Sequence, residues 1–244
     1  MLIESDLVPT KASELPDGPW LIFAPHADDE TFGLGGSLLM ARNRGVESHV
    51  VFVTDGALGG NDESNTLTLI RKRIDEAKQA TSALGVKSIQ FLGEPDRGLR
   101  VCPRLIELIG KIIEDINPSS IFFPTPMEYH PDHRVTTELV WKSLQGLNGF
   151  SCEAYSYEIS TLAPINLLID ISEVATEKYD IVKSYASQLT QARYLDLVQA
   201  IDIARAYSLS LDSKAAEGFF KFAEYSLSIH EQLLKSIRPY FEDL

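Results

Sequence analysis

The residues that could do chemistry fall in two short stretches. PHADDE (Pro25–Glu30) sets one histidine beside three consecutive carboxylates, Asp28, Asp29 and Glu30. HPDH (His130–His133) sets two histidines around Asp132. The chain has only five histidines, and three of them, His26, His130 and His133, lie here. Adjacent acids repel one another and are costly to desolvate, and a cation beside them removes both penalties. Imidazole with carboxylate suits zinc, and three protein ligands with one open position mark a catalytic site. A histidine and an acid from one stretch with a histidine from the other meet that count. A second acid could then take a proton from an activated water. A second histidine could stabilise an oxyanion and protonate a leaving group, and a further acid could orient an imidazole. Taken singly, each stretch has a plainer explanation, since His-x-Asp is a common loop feature and Asp132 could cap a helix. Their occurrence together is what argues for chemistry.

Both stretches follow a predicted strand. WLIFAP is an apolar run closed by proline, and SSIFFPTP, just before MEYHPDH, is another. Between them SHVVFVTDG and SIQFLG read as strands. GGSLLMARNRG, the segment closed by Gly85, and PRLIELIGKIIEDINP read as helices, the last with Pro103 in its first turn. DHRVTTELVWKSLQG is a further helix. Strands alternating with helices, and apolar nearly throughout, indicate a parallel sheet covered on both faces, hence an α/β sandwich. Open sheets of this kind bind ligands outside the carboxyl ends of their strands, which puts both stretches on one rim. After about residue 146 the pattern changes. EAYSYEIS and NLLIDIS are two strands in succession, an edge extension, and helical segments near 173–189, 193–208 and 226–239 finish the chain. The expectation is one domain over 1–244, with a polar lead-in over 1–18 and a helical segment from about 190.

The bulk numbers narrow the function. With 44% hydrophobic and 23% charged residues, 244 residues can bury a sizeable core. A net charge of −13 opposes a nucleic-acid partner. No apolar run approaches the roughly 20 residues of a membrane span, and no secretory leader is legible, so the expectation is a soluble cytoplasmic protein. Cys102 and Cys152 form no CxxC pair. The glycines Gly33, Gly35 and Gly36 do not spell GxGxxG, and three acids in front of them would repel a nucleotide phosphate. They are expected to permit close packing instead. A serine hydrolase would need a GxSxG elbow, which is lacking.

Beyond these readings, PHADDE resembles the P-H-x-D-D-E signature of the LmbE/PIG-L family of zinc-dependent de-N-acetylases, and HPDH resembles that family's second signature. Arg73, Glu76, Ala80 and Leu84–Gly85 are similar to its R-x2-E-x3-A-x3-LG helix. EPDRGL resembles its P-D-G-x-L loop, KYDIVKSYASQ its K…H-x-SQ helix and AEGFF its A-E-x-F segment. The resemblance spans about residues 19 to 222. It implies a Rossmann-like three-layer sandwich with a mostly parallel central sheet and a helical C-terminal extension. It also implies hydrolysis of the N-acetyl group of an N-acetylglucosamine-type small molecule or glycoconjugate, with Zn2+ or another divalent metal as cofactor. Carried over by position, His26, Asp29 and His133 are the implied metal ligands and Asp28 the implied general base. His130 would stabilise the oxyanion and help the amine leave, and Asp132 would orient a histidine. Arg73 and Asp96 would line the sugar pocket. Two departures stand out: Ala27 replaces the usual proline, and Tyr185 replaces the histidine of the K…H-x-SQ helix, making Tyr185 an expected substrate-binding residue. The family often forms homo-oligomers. Two other readings remain open at this stage: a zinc amidase acting on a non-sugar acyl amine, and a metal- or sugar-binding module without turnover. Metal binding alone does not require Asp28 and His130, which weighs against the module.

Overall fold

A computed structural model describes residues 7–58, 66–147 and 149–242. Residues 1–6 of the lead-in and 61–65 of the loop expected before the second helix lie outside them. The first strand is β1 (Trp20–Ala24), and its side chains alternate between two cores. Trp20, Ile22 and Ala24 face one, while Leu21 and Phe23 face the other. A strand buried on both sides has no polar position, which is why it reads as an unbroken apolar run.

Around it, β2 (Ser48–Thr54), β3 (Ser88–Glu94), β4 (Ser120–Pro124), β5 (Glu153–Tyr157), β6 (Leu167–Asp170) and β7 (Ala216–Phe222) complete one seven-stranded sheet in the order β3-β2-β1-β4-β5-β7-β6. Strands β1 to β5 pair in parallel. β7 joins antiparallel to β5, and β6 antiparallel to β7. The helices α1 (Asp29–Asn43), α2 (Thr66–Ala83), α5 (Ala175–Val182), α6 (Ala186–Leu189) and α7 (Tyr194–Ala206) lie towards one face. α3 (Pro103–Ile116), α4 (Pro131–Gly146) and α8 (Ile229–Ile237) cover the other, and α9 (Pro239–Glu242) follows. The result is an α/β three-layer fold with a mostly parallel central sheet. Among the described residues no helix is long and apolar enough to cross a membrane.

Two local features differ from the sequence expectation. The first helix begins not at the glycines but at Asp29, so the acids form its first turn. It kinks at Leu34 (φ −145°, ψ 24°). The kink frees the backbone N–H groups of Gly36 and Ser37, which donate to the Glu217 carboxylate at 2.7 and 2.8 Å. Glu217 lies on β7, a strand the sequence reading did not foresee in its otherwise helical ending. The expectation of close packing at the glycines agrees with the geometry. A Cβ on Gly33 would stand 2.6 Å from the Glu158 carbonyl, and one on Gly36 within 2.7 Å of Ile171.

Candidate active site

The chain leaves β1 towards β2 on one side, while β4 lies against β1 on the other. Their carboxyl ends therefore flank the point where the strand order reverses, the usual ligand crevice of such sheets. β1 delivers His26 to Asp29 there, and β4 delivers Glu128 to His133, so residues 107 positions apart touch.

His26 Nδ1 lies 3.2 Å from Asp29 Oδ2 and 3.2 Å from His133 Nε2, and His133 Nε2 lies 3.3 Å from Asp29 Oδ2. Three donors of a tetrahedral ion bound at about 2.0–2.1 Å stand about 3.3 Å apart. The triangle thus has the size and the donor set of a face that would hold such a cation. Burial would push the Asp29 carboxyl up, but His133 and His26 outweigh it and bring it down to about 2, so it is ionised and ready to ligate. Its Oδ2 also accepts the His26 backbone N–H at 2.8 Å. A looser grouping of His26, Asp96, His130 and Asp132 brings donor atoms within 4.8 Å. The triangle is the tighter fit.

The other ring nitrogens of His26 and His133 meet carboxylates. His26 Nε2 stands 3.4 Å from Asp96 Oδ1 and 3.5 Å from Asp132 Oδ2, distances of an ion pair without hydrogen-bond geometry. Burial disfavours a charged His26 ring, but Asp132, Asp29 and Asp96 together raise its pKa well above the ordinary value. Asp132 sits fully buried where it can orient that ring, its Oδ2 accepting the Arg97 backbone N–H at 2.6 Å. His26 Nε2, Asp96 Oδ1, Asp132 Oδ1 and His133 Nδ1 are buried polar atoms without a hydrogen-bond partner. Such atoms concentrated at one spot fit a site organised around a bound group.

Asp28 lies outside the triangle, held in a backbone conformation (φ 142°) that an L side chain rarely adopts. Glu30 Oε2 accepts its N–H at 3.2 Å. Burial and the Asp29 charge raise the Asp28 carboxyl well above its usual range, against the opposing pull of Arg73, whose Nη2 is 3.6 Å away. That is the direction a general base needs. His130 caps α4, its Nδ1 accepting the Asp132 N–H at 3.3 Å. Burial, then the charges of His26 and His133, bring its pKa down to about 4. It is therefore a neutral imidazole whose remaining proton sits on Nε2.

These groups open into a pocket of about 380 Å³. Asp28, Asp29, Arg73, Asp96, His130 and His133 are among the residues that line it. Phe32, Tyr129 and Tyr194 add aromatic wall that the sequence reading did not single out. Tyr185 is the correction. It is fully buried, outside the pocket lining, with its hydroxyl donating to Glu30 Oε1 and its ring edge-on to Phe32 at 5.9 Å. The aromatic ring is long enough to reach through the core to Glu30, so it supports the floor of the site rather than facing substrate. Glu128 was missed altogether, although it stands two residues before His130; an acid beside a motif carries no signal of what it faces.

Known proteins resemble this chain in sequence and in fold. A diacetylchitobiose deacetylase from Thermococcus kodakarensis is 29% identical over 189 residues, covering 70% of each chain. A probable N-acetyl-alpha-D-glucosaminyl L-malate deacetylase 2 from Bacillus anthracis is 29% identical over 182 residues, 69% of this chain and 80% of that one. Among solved structures, the N,N'-diacetylchitobiose deacetylase of Pyrococcus horikoshii superposes with a TM-score of 0.76 at 24% identity, over 92% of this chain and 88% of that one. GalB, the 4-carboxy-2-hydroxymuconate hydratase of Pseudomonas putida KT2440, superposes with a TM-score of 0.74 at 18% identity, over 86% and 98%. The fold alone thus also accompanies other chemistry. The model of the PIG-L, GlcNAc-PI de-N-acetylase family matches residues 21–144, from β1 into α4 and including both motifs, and the chain belongs to that family.

Proposed function

We propose that the protein is a metal-dependent N-deacetylase that hydrolyses the acetamide of an N-acetylglucosamine-type sugar, with zinc as its metal. The observation that carries this reading is the His26–Asp29–His133 triangle opening into a pocket that also holds Asp28 and His130. Two imidazole nitrogens and one carboxylate oxygen at tetrahedral spacing favour zinc over the harder cations, which prefer more oxygen ligands.

A divalent cation held there would acidify a water and polarise the acyl carbonyl. Asp28, with its raised carboxyl, accepts the proton of the attacking water. The neutral His130 donates its Nε2–H to the oxyanion that develops on the carbonyl carbon. His130 assists departure of the amine, Asp28 returns its proton to the departing nitrogen, and the products are acetate and a free amine. Arg73 holds Asp28 through the ion pair and is itself anchored by donating to the Gly56 carbonyl at 2.7 Å. Phe32, Tyr129 and Tyr194 provide apolar faces on which a sugar ring can rest.

The test is free-amine release from a panel of N-acetylated sugars and non-sugar acyl amines, using protein stripped of metal and reloaded. Activity on acetamido sugars that returns with zinc is expected. Turnover undiminished by metal removal overturns the reading, and turnover confined to the non-sugar amines replaces the sugar by another acyl amine.

A further inference from the structure

His133 has two nitrogens with different neighbours. Nε2 belongs to the ligand triangle, while Nδ1 points away from it towards the Glu128 carboxylate, Oε2 at 3.4 Å. Among the described residues Nδ1 has no hydrogen-bond partner, so its contact with Glu128 is an ion-pair distance without hydrogen-bond geometry. Glu128 is itself buried and fixed from the opposite side. Its Oε1 accepts the backbone N–H groups of Ile159 and Ser160 at 2.9 and 3.0 Å, and its Oε2 accepts the Ser160 hydroxyl. Every donor around this carboxylate keeps it ionised, oriented and acceptor-only. A carboxylate facing Nδ1 holds the proton on that nitrogen and leaves the Nε2 lone pair free for a cation.

We infer that Glu128 is a positioning residue that sets the tautomer and ring orientation of His133, and that it ties this ligand to the Ile159–Ser160 wall of the pocket. His26 and His133 are then treated alike: each presents one nitrogen to the triangle and the other to buried carboxylate. The inference rests on the reading of His133 as a metal ligand.

Glu128→Gln separates orientation from packing. The Gln carbonyl oxygen can keep both backbone N–H bonds of the wall. Its amide nitrogen then faces His133 Nδ1 as a donor and favours the wrong tautomer. Metal affinity, measured by competition with a chromogenic chelator, is expected to fall about 10–100-fold, while the melting temperature of the metal-free protein stays that of the wild type. Affinity equal to the wild type's overturns the assignment. A second measurement needs no variant: long-range 1H–15N correlation of histidine-labelled wild-type protein. It is expected to show His133 protonated on Nδ1, and an Nε2–H tautomer overturns the assignment. Wild-type protein that binds no divalent metal would count against the functional reading, whereas the tautomer of His133 decides the role of Glu128 in either case.

Discussion

At the scale of single residues, the site divides labour among acids that look equivalent in sequence. Asp29 is low at about 2, whereas Asp28 next to it is raised, because His133 and His26 face the first and burial dominates the second. Motif recognition named both, and their environments suit the one to the ligand role and the other to the base role that we propose. Asp28→Asn is expected to retain metal and to lose roughly 10²–10⁴ in turnover, the usual contribution of a positioned base. Metal content with turnover number checks it, and a fully active variant refutes the base. Glu30 carries a pH dependence. Burial raises its carboxyl from 4.5 to about 7, although Thr31 and Tyr185 donate to it. Between those values the native state holds the proton that the unfolded chain has released. Stability of the metal-free protein therefore falls as pH rises from about 4.5 through 7, by about 3 kcal/mol at 1.36 kcal/mol per unit. Subtracting the denaturation free energies of Glu30→Gln from those of the wild type across this range should recover that slope. A flat difference would deny Glu30 the shift.

At the scale of elements, the parallel half was legible because each strand is an apolar run and each helix carries its own stop. Gly45 and Gly85, both at positive φ, end the turns after α1 and α2, and Pro103 opens α3. β7 was not legible because AEGFFKF opens with glutamate and glycine and breaks its aromatic run with lysine. The glutamate is there for α1, not for the strand. Glu217 satisfies the two N–H groups freed at the Leu34 kink and pairs with fully buried Lys178 at 2.9 Å, which also pairs with Asp202 at 2.8 Å. One carboxylate thus joins β7, α1 and α5, and Lys178 extends the link to α7. A side chain inserted into the helix ladder is a recognised cause of kinking. Glu217→Ala removes an acceptor from two buried amides and half the counter-charge of a buried ammonium, and is expected to cost about 3–5 kcal/mol, read as a lower denaturant midpoint. A loss under about 1 kcal/mol, the scale of a surface pair, would mean that the kink stands without it.

At the scale of the molecule, the strand order turns two separated motifs into one site. The sequence located both on the same rim, but the adjacency of β1 and β4, which brings His26 against His133, is a property of pairing between strands far apart in the chain. The same convergence concentrates charge. Asp28, Asp29, Glu30, Asp96, Glu128 and Asp132 are all buried around the crevice of a chain whose net charge is already −13. Among the described residues, Arg73 faces Asp28, and the imidazoles of His26 and His133 face Asp29, Asp96 and Glu128. Folding without a cation therefore buries mutually repelling carboxylates, and a cation binding only the native state returns that cost as stability. At a hundredfold excess over its Kd the gain is about 2.7 kcal/mol, which for a chain of this size is about 5–10 °C in Tm. Treatment with a chelator is expected to lower Tm by that amount, and zinc to restore it. Magnesium should restore little, because it dehydrates reluctantly and demands octahedral oxygen ligands. The His133→Ala variant, which breaks the triangle, should melt at one temperature with or without zinc. A wild-type Tm indifferent to both chelator and zinc would mean that the acids are balanced by protonation and not by a metal.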